Sequence, residues 1–315
     1  MSKVQRQKLV TLAEQPDYGK FMASQEAVIF SSYELVNQEK RMGSLFFLDK
    51  QLNLKKQLKM PSGVFRFEFD NKSKDHIYAS LTNGQLARID ATDATYILSP
   101  QISDNLLLDL SESKEKDIMV TTDSTGNIFI IDIRDNYNVI QSKTCHFLHK
   151  NTPSEVWTTG FVDGNTFLTG GDDTIMKYWD LRTGLQSPIS VHKNQDMGIT
   201  FLKASSYDCN EILYGDYNNT FRIYDKRNFA TPKHEIELKG GVWHVDENSK
   251  GNYLCTCMYG GYAYLEKDPE LTLVHEEVPV GENHLFYGAA FIADDTFASC
   301  SFYRKELYLD QITNN

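Results

Sequence analysis

The chain has 315 residues, 41% of them hydrophobic, which is ample for a sizeable core. Lys and Arg number 32 against 43 Asp and Glu, and the net charge of −11 argues against direct nucleic-acid binding, which needs clustered basic side chains. Met1 to Leu12 has no signal-like apolar region, no run approaches the roughly 18 apolar residues of a membrane span, and the five cysteines lack framework spacing, so a cytoplasmic protein with reduced thiols and no membrane contact is expected. Cys255-Thr256-Cys257 has no second cysteine pair, so no metal site is expected there, and no sequence feature calls for a cofactor.

In chain order, short apolar strands end repeatedly in an acidic residue. They are Phe47-Leu48-Asp49, Arg88-Ile89-Asp90, Ile131-Asp132, Trp179-Asp180, Tyr224-Asp225, Tyr264-Leu265-Glu266 and Tyr308-Leu309-Asp310. The acidic positions lie 41, 42, 48, 45, 41 and 44 residues apart, the period of a four-stranded propeller blade. Seven occurrences predict an all-β fold, a seven-bladed β-propeller of divergent WD repeats, as a single domain over residues 1–315. Trp179-Asp180-Leu181-Arg182 carries the WD pattern itself, with Trp179 expected between blades and Asp180 at a turn.

The blade interiors agree with this period. In blade four the expected strands are Val156 to Phe161, Thr166 to Thr169 and Ile175 to Asp180, and Gly170-Gly171-Asp172-Asp173 joins the second to the third. Thr122 to Asn127 and Gly215-Asp216-Tyr217-Asn218 are the corresponding turns of blades three and five, rich in the Gly and Asx residues that turns favour. Residues after Glu266 supply three strands of the last blade. Val4 to Leu12 is expected to provide the fourth, closing the ring and removing two exposed edges.

In such a propeller the starts of the innermost strands and the turns between second and third strands share one face. Glu155 and Trp157 open blade four, and His192, Met197 and Gly198 open blade five. Gly240-Gly241-Val242-Trp243 opens blade six, and His284 with Tyr287 and Gly288 opens blade seven. Asp172, Asp173 and Cys300-Ser301-Phe302-Tyr303 come from the turns. Mixed aromatic and polar groups at one mouth make a plausible binding site. Structural duty accounts for part of the list: His192 with Asp216 fits the His–Asp network of WD blades, Asp172-Asp173 fits turn chemistry, and Trp157 and Trp243 fit packing. Ser301 lacks the Gly-x-Ser-x-Gly of a nucleophile elbow, and no phosphate-binding loop or zinc-protease motif is present.

Several of these segments, in this order, make the chain similar to the WD-repeat diphthine methylesterase family of the diphthamide pathway, whose members are also called diphthine methyltransferases. They are Glu155-Val156-Trp157, Gly170-Gly171-Asp172-Asp173 with Trp179-Asp180-Leu181-Arg182, His192 with Met197-Gly198-Ile199, Gly240-Gly241-Val242-Trp243, Cys257-Met258 with Gly260, His284-Leu285-Phe286-Tyr287-Gly288, and Cys300-Ser301-Phe302-Tyr303. The resemblance covers roughly Asp104 to Asp310 and is weak over the first two blades.

It implies a hydrolase acting on translation elongation factor 2. There a histidine carries a 3-amino-3-carboxypropyl group that becomes over-methylated, including a methyl ester, and ester hydrolysis permits the final amidation. The family continues the last segment with Asp and His, where this chain has Arg304 and Lys305, and its Tyr-Gly-x-Asp-Trp reads Tyr287-Gly288-Ala289-Ala290-Phe291 here.

Ester hydrolysis needs a general base and donors for the oxyanion. His284, His192 and Glu155 are the candidate bases. Trp157, Gly240, Gly241, Trp243, Tyr287, Ser301 and Tyr303 are the candidate substrate-binding residues. A monomer acting on elongation factor 2 is expected. The alternative is a non-catalytic WD-repeat scaffold of a cytosolic complex, and a third reading is a metal-dependent hydrolase using His192, His284 and a carboxylate.

Overall fold

A computed structural model describes residues 2–37, 40–193 and 197–314. They form strands almost throughout, with two short 3₁₀ turns at Ala23–Gln25 and His149–Asn151 as the described helical segments. The fold is a seven-bladed β-propeller. The chain divides into two compact units, one of Ser62–Ala204 and one of Met1–Pro61 with Ser205–Asn315.

The unit Ser62–Ala204 contains three complete antiparallel blades. Blade two is Val64–Phe69, His76–Leu81, Leu86–Asp90 and Thr95–Leu98; blade three is Leu107–Glu112, Ile118–Asp123, Asn127–Asp132 and Asn138–Thr144; blade four is Thr158–Phe161, Thr166–Gly170, Met176–Asp180 and Ser190–His192. Ile199–Ala204, the first strand of blade five, also belongs here. Inner strands are buried almost residue by residue, whereas outer strands such as Asn138–Thr144 are largely exposed. Burial on both faces explains the near-continuous apolar runs of the inner strands. One core cluster joins blades three and four through Val120, Ile128, Ile130, Phe167, Trp179 and Leu185. Adjacent inner strands are also tied by side chains: Asp109 accepts the Thr159 N–H at 2.8 Å, and Ser111 accepts that of Phe161 at 3.1 Å.

The other unit holds blade one (Pro16–Met22, Ala27–Ser32, Lys40–Leu48 and Leu54–Met60, with Glu34–Val36 added to the third strand), the last three strands of blade five, and blades six and seven. Blade six is His244–Glu247, Tyr253–Thr256, Tyr262–Lys267 and Leu271–Glu277; blade seven is Phe286–Ala293, Thr296–Ser301 and Glu306–Asn314, with Ser2–Thr11 as its outer strand. Ser2–Thr11 runs antiparallel to Glu306–Asn314, with a register shift between Arg6 and Lys8. Arg6 pairs there with the buried Asp310, and its guanidinium lies 4.3 Å from the Tyr308 ring centroid. The Asp246 carboxylate accepts the Phe291 N–H at 2.6 Å, repeating in blades six and seven the tie seen at Asp109.

The acidic residues that set the sequence period have a shared task. Asp49, Asp90, Asp132, Asp180 and Asp225 each accept the backbone N–H two residues on, at 2.8–2.9 Å, and so fix the turn into the outer strand. Asp310 is different for a topological reason. Its outer strand comes from the other end of the chain, no turn follows, and the carboxylate takes Arg6 and the Tyr262 hydroxyl instead.

Candidate functional site

In the unit Ser62–Ala204, the turn Gly170-Gly171-Asp172-Asp173 packs against the entry to the inner strand of blade four. A side chain on Gly171 would put its Cβ 1.9 Å from the Glu155 carbonyl oxygen, so glycine permits the contact in which the Asp172 N–H donates to that oxygen. The Trp157 indole N–H donates to Asp172 at 2.6 Å, and its ring stacks on Phe65 with centroids 5.9 Å apart. Burial holds the Asp172 carboxyl above the usual carboxylate range, opposed by the Trp157 hydrogen bond and reinforced by Glu155 and Asp173. Glu155, Trp157 and Asp172 are all half-buried and form one polar-aromatic corner.

Asp173 turns the other way. It accepts from His146 Nδ1 at 2.9 Å; His146 Nε2 meets the Thr169 hydroxyl at 2.8 Å, and that hydroxyl accepts the Trp179 indole N–H at 2.9 Å. His146 is fully buried, and burial lowers its pKa despite Asp173. This His–Asp–Thr–Trp chain is the network expected at His192 and Asp216, and it lies one blade earlier. His192 ends the outer strand of blade four, with Nε2 3.0 Å from the Ser190 hydroxyl, and burial lowers its pKa. Asp216 is occupied by the Tyr214 hydroxyl at 3.0 Å, by Arg222 at 2.8 Å, and by two N–H groups of its own turn.

In the other unit, strand entries and turns assemble an arc of rings. Trp243 and Tyr287 open the inner strands of blades six and seven, and their ring centroids are 4.7 Å apart. Tyr217, in a turn of blade five, lies 6.1 Å from Trp243 on one side. Phe302 lies 5.4 Å from Tyr287 on the other, and it in turn meets Tyr33 of blade one at 5.1 Å and Tyr303 at 5.3 Å. Trp243 and Phe302 are buried, Tyr33, Tyr217 and Tyr287 half-buried, and Tyr303 exposed. Burial raises the Tyr287 pKa, with Tyr33, Asp17, Tyr217 and Tyr303 adding to it, so this phenol keeps its proton. Asp17, at the start of the inner strand of blade one, is fully buried.

The remaining sequence candidates fall around this arc. Gly240 packs backbone to backbone on the turn of blade six, where a Cβ would stand 2.0 Å from the Cys257 carbonyl oxygen. Gly241 follows it beside Tyr217 and Met258. Ser301 is fully buried at the end of its strand, and its hydroxyl makes no hydrogen bond among the described residues. The His284 ring stacks on Phe286 at 6.4 Å, and Phe286 stacks on Tyr308, so the imidazole sits over the packing layer of blade seven. Its Nε2 lies 3.4 Å from Arg304 Nη1, and burial followed by the Arg304 charge lowers its pKa.

Arg304 also pairs with Glu306, and Lys305 pairs with Glu34. Trp243 and Tyr287 are thus brought together, as are Glu155 and Trp157 in their own unit. Sequence reasoning passed over His146, Asp17 and Tyr33, and quoted Tyr217 and Phe302 only as members of turns. An aromatic in a turn that favours Gly and Asx was the available signal for those two.

No protein-family profile matches the chain. A mouse protein named diphthine methyltransferase is 25% identical over 243 residues, covering 68% of this chain and 50% of the mouse protein. A diphthine methyltransferase homologue from Dictyostelium discoideum is 26% identical over 230 residues, covering 66% and 62%. The chain therefore spans about half to six-tenths of the length of these curated relatives. A chain in the crystal structure of the mitotic checkpoint complex shares the fold, with TM-score 0.78 and 12% identity over 98% of this chain and 92% of that one. Among the described residues no helix is long and apolar enough to cross a membrane. On a seven-bladed WD-type fold, the chain is thus similar to several curated proteins that bear the one name diphthine methyltransferase.

Proposed function

We propose that this propeller hydrolyses the methyl ester of methylated diphthine on translation elongation factor 2, leaving the carboxylate for the final amidation to diphthamide. The observation that carries this reading is the kinship with proteins named diphthine methyltransferase. In the reaction, water attacks the ester carbonyl carbon, the C–OCH₃ bond breaks, and methanol leaves with one proton. A base must take a proton from the water, and donors must meet the oxyanion.

The chain's own groups suit these tasks. His284 and His192 have lowered pKa values and are neutral imidazoles at neutral pH, each able to accept a proton. Glu155, beside the raised carboxyl of Asp172, is the carboxylate candidate. Tyr287 keeps its phenol proton and is a donor, with the backbone of Gly240 and Gly241 close to the same ring arc. Trp157, Trp243, Ser301 and Tyr303 complete the proposed binding residues. The partner is the modified histidine loop of elongation factor 2, met by a monomer in the cytoplasm.

Incubation with methylated elongation factor 2 tests this. Release of methanol together with loss of one methyl from the factor is the expected result. A second reading, a non-catalytic scaffold, is favoured by Arg304 and Lys305 standing where the family carries Asp and His, both engaged in surface ion pairs. It requires stable binding of the factor with no methanol released.

A further inference from the structure

We propose that the groove between the outer rims of blades three and four is a docking site for an extended peptide segment that carries an acidic side chain. The groove has a volume of about 390 Å³. It is lined by Gln141, Ser142 and Lys143 of the outer strand of blade three, and by Leu185 and Gln186 of the turn after the third strand of blade four. That volume lies within the range of ligand pockets. Its residues take no part in the ester chemistry proposed above.

Three hydrogen bonds fix the walls. Lys143 Nζ donates to the Leu185 carbonyl at 2.9 Å and to that of Gln186 at 2.6 Å, and the Leu185 N–H donates to Gln141 Oε1 at 2.9 Å. The Leu185 side chain is buried in the core between the two blades and anchors the turn. The groove is thus formed before any ligand arrives, and binding does not have to order it.

Two kinds of group are left for a ligand. An ammonium has three N–H donors, and Lys143 spends two of them on carbonyls. Among the described residues it has no carboxylate partner, and none of the five lining residues is acidic, so the third donor suits a ligand carboxylate. The second group is backbone. Cys145, just past the strand, donates its N–H to the Gly126 carbonyl at 2.8 Å. Backbone groups alternate in direction along a strand. Lys143 and Gln141 therefore direct theirs at their partners Ile128 and Ile130, and Ser142 directs its N–H and C=O outward from the exposed edge. The register shift leaves Ile140 without a cross-strand partner, so the regular edge runs only over residues 141–144. A short extended peptide can add to such an edge through main-chain bonds to Ser142, with a side chain reaching Lys143.

The test uses the whole chain and a fluorescein-labelled, end-blocked pentapeptide, Thr-Val-Glu-Val-Thr, followed by fluorescence anisotropy. Its Gln counterpart and free glutarate are the comparison probes. Saturable binding of the Glu peptide is expected, about ten-fold weaker for the Gln peptide, which lacks the charge-assisted bond. Lys143→Met should reduce the Glu peptide to the level of the Gln peptide. Ser142→Pro removes an outward N–H and no inner ladder bond, and edge strands tolerate proline, so this variant should melt near the wild type and bind at least about ten-fold more weakly. If it melts early, hydrogen exchange of the Ser142 amide in the unaltered chain gives the same readout, and the peptide should slow it. No saturable binding, equal affinity for the Glu and Gln peptides, full affinity in folded Ser142→Pro, unchanged Ser142 exchange, or glutarate binding as tightly as the peptide overturns the site.

Discussion

At the scale of single residues, the clearest sequence signal was structural. Trp179-Asp180 was readable because its spacing and neighbours fix its role, and Trp179 is indeed 1% exposed with its indole N–H on Thr169. Trp179→Ala should destabilise the fold by about 3–5 kcal/mol in chemical denaturation, the usual cost of emptying a large buried aromatic site. The histidine partner was misplaced because His192 ends an outer strand and His146 lies just past the end of one, and only the packing of a turn against a neighbouring blade distinguishes them.

Glu112 shows what burial does to a carboxyl. Burial, the largest influence, pushes its pKa up to about 7. The native state therefore holds a proton that the unfolded chain releases near pH 4.5, so this group's contribution is greatest below that pH and is lost as pH rises towards 7. Glu112→Gln should match the wild type at pH 5 more closely than at pH 8, where it should be the more stable, with a ceiling of about 3 kcal/mol. Urea midpoints at the two pH values measure this.

For the chemistry, His284→Ala and His192→Ala should both fold, and at least one should lose about 10²–10⁴-fold in esterase activity, the worth of general-base assistance. The base works deprotonated, and burial lowers both imidazole pKa values. Activity should therefore survive on the acid side of about 6.5, the ordinary histidine value, before it falls. Full activity in both variants would clear both histidines of the role.

At the scale of elements, the periodic acidic residues located the third strand of every blade because five of them perform one local task, the capping of a turn. Local tasks leave local signals. The pairing of Ser2–Thr11 with Glu306–Asn314 is not local, yet the shortage of strands after Glu266 was enough to suggest Val4 to Leu12 for it. Its register was not legible, because the shift at Arg6 answers to Asp310 across the sheet.

Deleting residues 2–11 removes an outer strand and opens a ladder of unpaired backbone groups along Glu306–Asn314, so the deletion should aggregate and melt earlier. Arg6→Ala should cost about 2 kcal/mol, between the values for exposed and buried pairs, because it leaves the buried Asp310 carboxylate without its cation while Arg6 itself is partly exposed. Thermal melts with and without the change measure both effects.

At the scale of the whole molecule, a period near 44 residues determines the architecture because each blade needs four strands and three turns, whatever its side chains. The candidate site was only partly legible. The strand entries that bear Trp157, Trp243 and Tyr287 follow from the same period. Which rings meet depends on side-chain directions and on residues far apart in sequence, such as Tyr33 and Phe302. Asp17 carried no signal, because one aspartate near a Pro and a Tyr resembles any turn.

We propose that this chain removes a methyl from an ester by hydrolysis, although the proteins it resembles carry the name of a methyl-adding enzyme. The most direct measurement is the reaction of the intact chain with methylated elongation factor 2 in heavy-oxygen water, followed by mass spectrometry of the modified peptide and assay of methanol. Loss of one methyl from the peptide, an equivalent of methanol and, for attack at the carbonyl, one heavy oxygen in the new carboxylate are expected. A peptide that keeps its ester, or gains a methyl when a methyl donor is supplied, would contradict it.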